Sequence, residues 1–267
     1  MPVQTFEFAV VVNSHSSYHD VLKIFLQTFR KYCPSLKLYI FTDRNDRDIF
    51  CDNETVIIYQ GKTFRDQYLF SLNYVNEDII LTLNDDYFIM GEPKWDALCQ
   101  CVEILKSSEH SQIRLHRGLN FRKTQIHENL YQLDSAGQFF FSQTATLWKK
   151  NCLKKIFEQT PPSGIARQGK EVQFETIANL TTRTLGLTGL VYFNNEMKRG
   201  RYHYDCSILP HVVSAIVDGR WNFIEYSNEL DDISLEFGID VSVRGKNNTF
   251  FYRFLEPFNA YIKRLIV

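Results

Sequence analysis

Asp78-Ile79-Ile80-Leu81-Thr82-Leu83-Asn84-Asp85-Asp86-Tyr87 decides the reading of this chain. Its apolar run, Ile79 to Leu83, has the unbroken character of a strand buried on both faces, the kind found in parallel sheets. The run ends in an amide and two acids, and Tyr87-Phe88-Ile89-Met90 follows. Open α/β sheets bind their ligands beyond the carboxyl ends of the strands, so the triplet stands where chemistry is expected. Alternation along extended backbone would place Asn84 and Asp86 on one side and Asp85 on the other. One acid can then meet a metal or ligand while its neighbour braces the loop. The competing reading is an Asx-rich turn between two strands, because Asn and Asp readily bond their own backbone.

Upstream, Phe6 to Asn13 reads as a buried first strand ending in Ser14-His15-Ser16-Ser17. Val21, Leu22, Phe25, Leu26 and Phe29 recur at helical spacing within Tyr18 to Tyr32, which Pro34 stops. Leu36 to Thr42 is a second strand ending at Asp43, and Val56 to Tyr59 a third. Strand, helix, strand at this spacing is a βαβ unit with a parallel sheet. Arg65 to Leu72 then reads as a helix leading into the acidic strand. Downstream, helices at Lys94 to Ser107, Thr146 to Gln159 and Glu171 to Leu185 accompany strands at Gln112 to Arg117, Gln138 to Gln143 and Gly189 to Phe193, with a short helix at Ser207 to Val217. Thr160 to Gly169, rich in Pro, Gly and Ser, is a candidate mobile or substrate-facing loop. The expected fold is α/β, an open and mostly parallel Rossmann-like sheet flanked by helices. One domain is expected over 1–223, in halves of about 1–117 and 118–223, with a C-terminal extension over 224–267.

Composition narrows the function classes. The 267 residues are 44% apolar and 15% aromatic, which excludes a disordered chain. Thirty basic against 31 acidic residues leave a net charge of -1, so no electrostatic footprint points to nucleic acid. The six cysteines show no Cys-x-x-Cys spacing, as in a reducing compartment. Met1 to Gln4 lacks the basic start of a signal peptide, and no run approaches the roughly 18 to 20 apolar residues of a membrane span. The expected location is therefore cytoplasmic, and the Asn-x-Thr sequons at Asn53, Asn179 and Asn247 read as chance. No Gly-x-Gly-x-x-Gly or Walker-type loop supports a dinucleotide fold or a P-loop kinase.

Together, Val10-Val11-Val12-Asn13, Leu38-Tyr39-Ile40-Phe41-Thr42-Asp43, Arg65-Asp66-Gln67-Tyr68-Leu69 and the Asp78 to Tyr87 stretch resemble the pattern of GT-A-type nucleotide-sugar-dependent glycosyltransferases. Phe141-Ser142-Gln143 to Trp148, Glu171 to Glu175 and His203-Tyr204-Asp205 to Trp221 look like the acceptor and closing parts of small enzymes of that kind from polysaccharide gene clusters and large DNA viruses. The resemblance covers roughly 6–223. It implies a GT-A-like fold and transfer of a hexose or pentose from a nucleotide-sugar to a glycan or lipid-linked glycan acceptor in polysaccharide biosynthesis. One departure stands out. The family's Asp-x-Asp is here Asn84-Asp85-Asp86, which keeps a hydrogen-bonding group but removes a negative charge and leaves strict metal dependence open.

Sugar transfer must stabilise a departing diphosphate, and magnesium or manganese does so with few protein carboxylates. Asp86 suits such a site, with His203 or Asp205 as further ligands. Lys198, Arg199 and Arg201 would favour a diphosphate or form a solvated surface. The nucleotide would lie near Asn13, Ser14, His15, Asp43, Arg65, Asn84 and Asp85. Asp43 can instead cap a turn, and Arg65 can instead make a helix-terminal ion pair. Glu171 and Glu175, four apart on a helix, are candidates for the base that takes the acceptor hydroxyl proton, with Glu175 preferred beside Phe174. His203-x-x-Cys206-x-x-x-x-His211 lacks the fourth ligand of a zinc site. The basic, aromatic segment Phe250 to Val267 would dock on the domain, contact a membrane surface or join a homodimer. Two other functions remain open, a nucleotide- or carbohydrate-binding protein of the same fold and a nucleotidyltransferase. The latter usually has a glycine-rich basic loop, which Asn13 to Asp20 lacks.

Overall fold

Ala9, Val10, Val11 and Val12 expose none of their surface, as a strand covered on both faces requires. The structure, a computed structural model, describes residues 6–118, 122–137, 139–162, 174–200 and 203–247. The chain forms two compact units, Met1–Val213 and Ser214–Val267.

The first unit begins β1 (Ala9–Asn13), α1 (His19–Tyr32), β2 (Leu38–Thr42), β3 (Glu54–Ile58), α2 (Phe64–Leu72), β4 (Ile79–Asn84) and α3 (Trp95–Ser107). It continues with β5 (Gln112–Arg114), β6 (Gln125–His127), β7 (Leu130–Gln132), β8 (Thr146–Lys149), α4 (Lys150–Gln159), α5 (Phe174–Thr184), β9 (Gly189–Tyr192), β10 (Lys198–Arg199) and β11 (His203–Tyr204). Nine of these strands form one sheet in the order β3-β2-β1-β4-β8-β5-β9-β7-β6. β1 to β4 are mutually parallel, and β8 runs against both its neighbours, β4 and β5. The architecture is the expected α/β one, a mostly parallel sheet flanked by helices.

One core cluster joins Ala9, Val11, Tyr39, Phe41 and Ile80 of the strands to Tyr68 and Leu72 of α2, Leu153, Ile156 and Phe157 of α4, and Phe174 and Ala178 of α5. The intervening Val10, Val12, Ile40, Leu81 and Leu83 are equally buried and point to the other face. Stacked rings lock the three helices together: Tyr68 lies 4.4 Å from Phe157, which lies 4.8 Å from Phe174.

The sequence-based elements need correction in three places. Residues 139–143, expected within a strand, are irregular, because Phe140 and Phe141 belong to different core clusters and Phe139 has φ 64°. Gln138 lies outside the described residues. Thr146–Lys149, expected to start a helix, is instead β8, bonded on both edges, and α4 begins at Lys150. Ser207 to Val217 is not helical: Met90 donates to the Pro210 carbonyl and Val212 to that of Phe88, with a bridge between Ile89 and His211. The expected helix from Glu171 is described from Phe174 onward.

In the second unit β12 (Ile216–Val217) and β13 (Arg220–Trp221) form a hairpin. Its turn residues Asp218 and Gly219 both have positive φ, the requirement of a tight two-residue turn. The helix α6 (Phe223–Phe237) follows and ends at Gly238, whose φ of 64° makes a left-handed cap. Among the described residues no helix is long and apolar enough to cross a membrane. The segment Phe250 to Val267 lies outside them.

Candidate active site

Parallel register makes the ends of β2, β1 and β4 level: Asn13 is opposite both Phe41 and Asn84. The polar residues that follow meet there. The Ser14 hydroxyl donates to Asp85 Oδ2 at 2.6 Å. The Ser16 amide and hydroxyl donate to Asp43 at 2.6 and 2.7 Å. Partial burial works against the charged form of Asp43, but these bonds outweigh it and hold the carboxyl below its ordinary range. His15, exposed, caps the turn with Nδ1 accepting from the Ser17 amide, and its Nε2 lies 3.6 Å from Asp43. Asn13 Oδ1 is buried and has no hydrogen-bond partner among the described residues.

β4 ends at Asn84, and Asp85 and Asp86 form a turn in which the Tyr87 amide donates to the Asn84 carbonyl. Asp85 faces β1 through Ser14, whereas Asn84 Nδ2 donates to the Gln143 carbonyl at 2.8 Å. The Gln143 amide in turn donates to Glu175 Oε1 at 3.0 Å. Gln143 therefore ties the end of β4 to the first turn of α5, and Glu175 comes to the same end of the sheet as the triplet. Glu171 lies outside the described residues.

The strip before Gln143 is clamped along its length. Asn179 accepts from the Phe141 amide at 2.9 Å and donates to its carbonyl at 3.0 Å. Gln112 Nε2 donates to the Phe140 carbonyl at 2.8 Å, and Arg114 Nη2 donates to the carbonyls of Phe139 and Phe140. Arg114 is 2% exposed. Burial pushes its guanidinium down to about 10, still charged at neutral pH, and Glu175 pulls the other way. These residues were missed in the sequence, where two signals existed. Arg114 is a charge in an otherwise buried strand, and Asn179 is a poor helix former one turn after Glu175. Asn179 and Asn247, both sequon asparagines, are buried.

Tyr87 leads to a second polar group. Its ring stacks on His211 at 5.2 Å, and His211 meets His116 edge to face at 5.6 Å. His211 Nδ1 is 2.6 Å from the Leu209 carbonyl, which makes it the donor. His211 Nε2 and His116 Nδ1 are buried without hydrogen-bond partners among the described residues. Burial drives the His211 ring down to about 4 and the His116 ring well below its usual value, so both are neutral. His203 and Asp205 lie near enough to bias His211.

Other expected residues have firm partners. Arg65 donates through Nε and Nη2 to the carbonyls of Phe157 and Glu158 and pairs with Asp66, closing α2 on the end of α4. Asp205 accepts from Arg199 Nε at 2.8 Å across the β10–β11 hairpin, and Arg201 lies outside the described residues. Cys206 Sγ is 3.1 Å from the Leu115 carbonyl, and all six thiols are free. Among the described residues no three His, Cys, Asp or Glu side chains converge as a metal set.

No protein-family model and no curated protein matches the sequence. Solved structures do. TarS of S. aureus (residues 1–349) in complex with UDP aligns with 74% of this chain and 60% of its own, at 12% identity and TM-score 0.46. The mannosyltransferase PcManGT of Pyrobaculum calidifontis, in complex with GDP-Man and Mn2+, aligns with 74% of this chain and 59% of its own, at 11% identity and TM-score 0.41. The bifunctional IspDF of Campylobacter jejuni aligns with 72% and 50%, at 11% identity and TM-score 0.42. The chain thus spans about half to three fifths of the length of each.

Proposed function

We propose that this protein is a nucleotide-sugar-dependent glycosyltransferase acting on a glycan or lipid-linked glycan. The observation that carries the reading is the Gln143 bridge, which brings the acid of α5 to the strand-end carboxylates. A transfer reaction needs both at one place. One part must hold the donor and its leaving group, and the other must take a proton from the attacking hydroxyl.

In this reading the nucleotide lies over the ends of β1 and β2. Asp43, fixed by Ser16, and Asn13, with its unpartnered oxygen, accept hydrogen bonds from ribose or base hydroxyls and amines. Asp85, held by Ser14, fixes the turn that presents Asp86. The hard oxygens at this sheet end suit magnesium or manganese, which take few protein ligands when phosphates and water supply the rest. Such an ion held by Asp86, with His203 or Asp205 nearby, would supply positive charge to the leaving diphosphate. Glu175 has Oε1 oriented by Gln143, and its carboxylate takes the proton of the acceptor hydroxyl.

The test is a panel of UDP-, GDP-, CDP- and dTDP-sugars, with and without manganese. It reads nucleoside diphosphate release alongside thermal shift. A nucleotide at one hundred times its Kd should stabilise the fold by about 2.7 kcal/mol. Release of a nucleoside diphosphate with one donor class is the expected result. Formation of pyrophosphate from a nucleoside triphosphate and a sugar phosphate would replace this reading with nucleotidyl transfer. Binding without turnover would leave a binding protein.

A further inference from the structure

Phe139 is out of place on two counts. Its φ of 64° lies in the left-handed region, and the other described non-glycine residues there are Asn129, Asn195, Ser214 and Asp218, small polar side chains that turns readily accept. A bulky aromatic at such an angle is strained, and strain of this kind persists only where the surroundings impose it. Here they do: Arg114 and Gln112 hold the carbonyls of Phe139 and Phe140, and Asn179 holds both backbone groups of Phe141. Yet Phe139 is 43% exposed, while Phe140 and Phe141 are buried at 1% and 2%. The fold strains Phe139 without using its side chain as core.

We propose that Phe139 is a stacking platform for a pyranose ring of the acceptor. The proposal deepens the glycosyltransferase reading and rests on it. A sugar ring offers an apolar C–H face and a rim of hydroxyls. It is held by an aromatic face beside a few fixed polar groups. Both are present on one strip. Phe139 supplies the face, and four residues on the Gln143 backbone fixes the side chains of Asn84 and Glu175 as the polar groups. Arg114, bonded to the Phe139 carbonyl, lies near enough to Glu175 to feel its charge, so one guanidinium links the Phe139 backbone to the neighbourhood of the carboxylate. Arg114 acts here as a positioning residue.

The strain makes the role separable from packing. Glycine adopts positive φ at no steric cost, so Phe139→Gly removes the ring and relieves the backbone. The experiment titrates the full-length protein with methyl glycosides of glucose, galactose and N-acetylglucosamine by ligand-observed NMR and measures Tm in parallel. The wild type should bind at least one glycoside. Phe139→Gly should weaken that binding roughly tenfold, the scale of one well-placed aromatic contact. Phe139→Trp should retain it, and the Tm of Phe139→Gly should equal or exceed that of the wild type. Equal affinity in Phe139→Gly, a clear fall in its Tm, or no glycoside bound by the wild type would each overturn the platform. Sugar-nucleotide cleavage by the wild type reports on the parent reading separately. Glycoside binding through Phe139 without cleavage would sink the transferase and keep the platform. Cleavage with Phe139-independent glycoside binding would do the reverse.

Discussion

Asp86 and Glu175 divide the proposed chemistry between them, and each can be removed with a distinct signature. Asp86 follows a residue committed to Ser14 and stands in the turn closed on Asn84. Asp86→Ala should abolish turnover and the manganese-dependent part of the nucleotide thermal shift; a normal manganese response would remove Asp86 from the site. If His203 or Asp205 assists there, its alanine variant should weaken nucleotide and manganese binding together. Glu175 acts at a later stage. Loss of a general base typically slows reaction by 10² to 10⁴, so Glu175→Gln should lower kcat by roughly a hundredfold or more. Its amide still accepts from Gln143, and donor affinity should barely move. Glu171→Gln provides the comparison four residues earlier in the sequence, and a loss confined to it would shift the base to that residue.

At the scale of elements, α5 acts as the clamp of the site. Asn179 bonds both backbone groups of Phe141 from a buried position, and Phe174 anchors the same helix in the ring stack. Leaving buried backbone groups unsatisfied costs about 1–3 kcal/mol. Asn179→Ala should therefore destabilise by that amount in urea unfolding, with an unchanged slope, and should also lower turnover by loosening Gln143. Stability lost with kcat intact would detach the strip from the chemistry. The parallel half was legible in the sequence because Val10-Val11-Val12 and Ile79-Ile80-Leu81 are buried on both faces and their ends are marked by polar residues. The strip was not. Three consecutive phenylalanines carry strong strand propensity, and tertiary bonds from Arg114, Gln112 and Asn179 divert them. Thr146–Lys149 was misread for the complementary reason, since its place between β4 and β5 is set by long-range pairing. Asn84 was expected near the nucleotide, and its bond to a carbonyl 59 residues away has no local signature.

At the scale of the folded unit, the neutral pair His116 and His211 couples stability to pH. Tyr87 packs against both rings, and His203, Asp205 and Arg114 are the charged or titratable groups that bias them. Their folded-state values lie below the unfolded value of about 6.5, so the unfolded chain binds more protons below that pH. The stabilisation is complete above pH 6.5 and is lost as pH falls toward about 4, where His211 titrates in the fold. The expected slope is about 1.4 kcal/mol per pH unit for each histidine. Tm measured from pH 7.5 to 4.5 should fall accordingly. His211→Asn, which keeps a donor for the Leu209 carbonyl, should flatten the fall, and an unchanged profile would assign the acid sensitivity to other groups.

The place of Gln143 and Glu175 late in the chain also sets an order of events during synthesis. Asn13, Asp43 and Asp85 lie on or just beyond strands complete by Asn84, whereas Gln143 is made 59 residues later and Glu175 another 32 after that. A ribosome adding about 5–20 residues per second needs roughly 5–20 s for that stretch of about 90 residues. On the proposed reading, the residues that would hold the nucleotide are made well before the candidate base, and the α4 and α5 side chains that complete their core arrive in the same interval as that base.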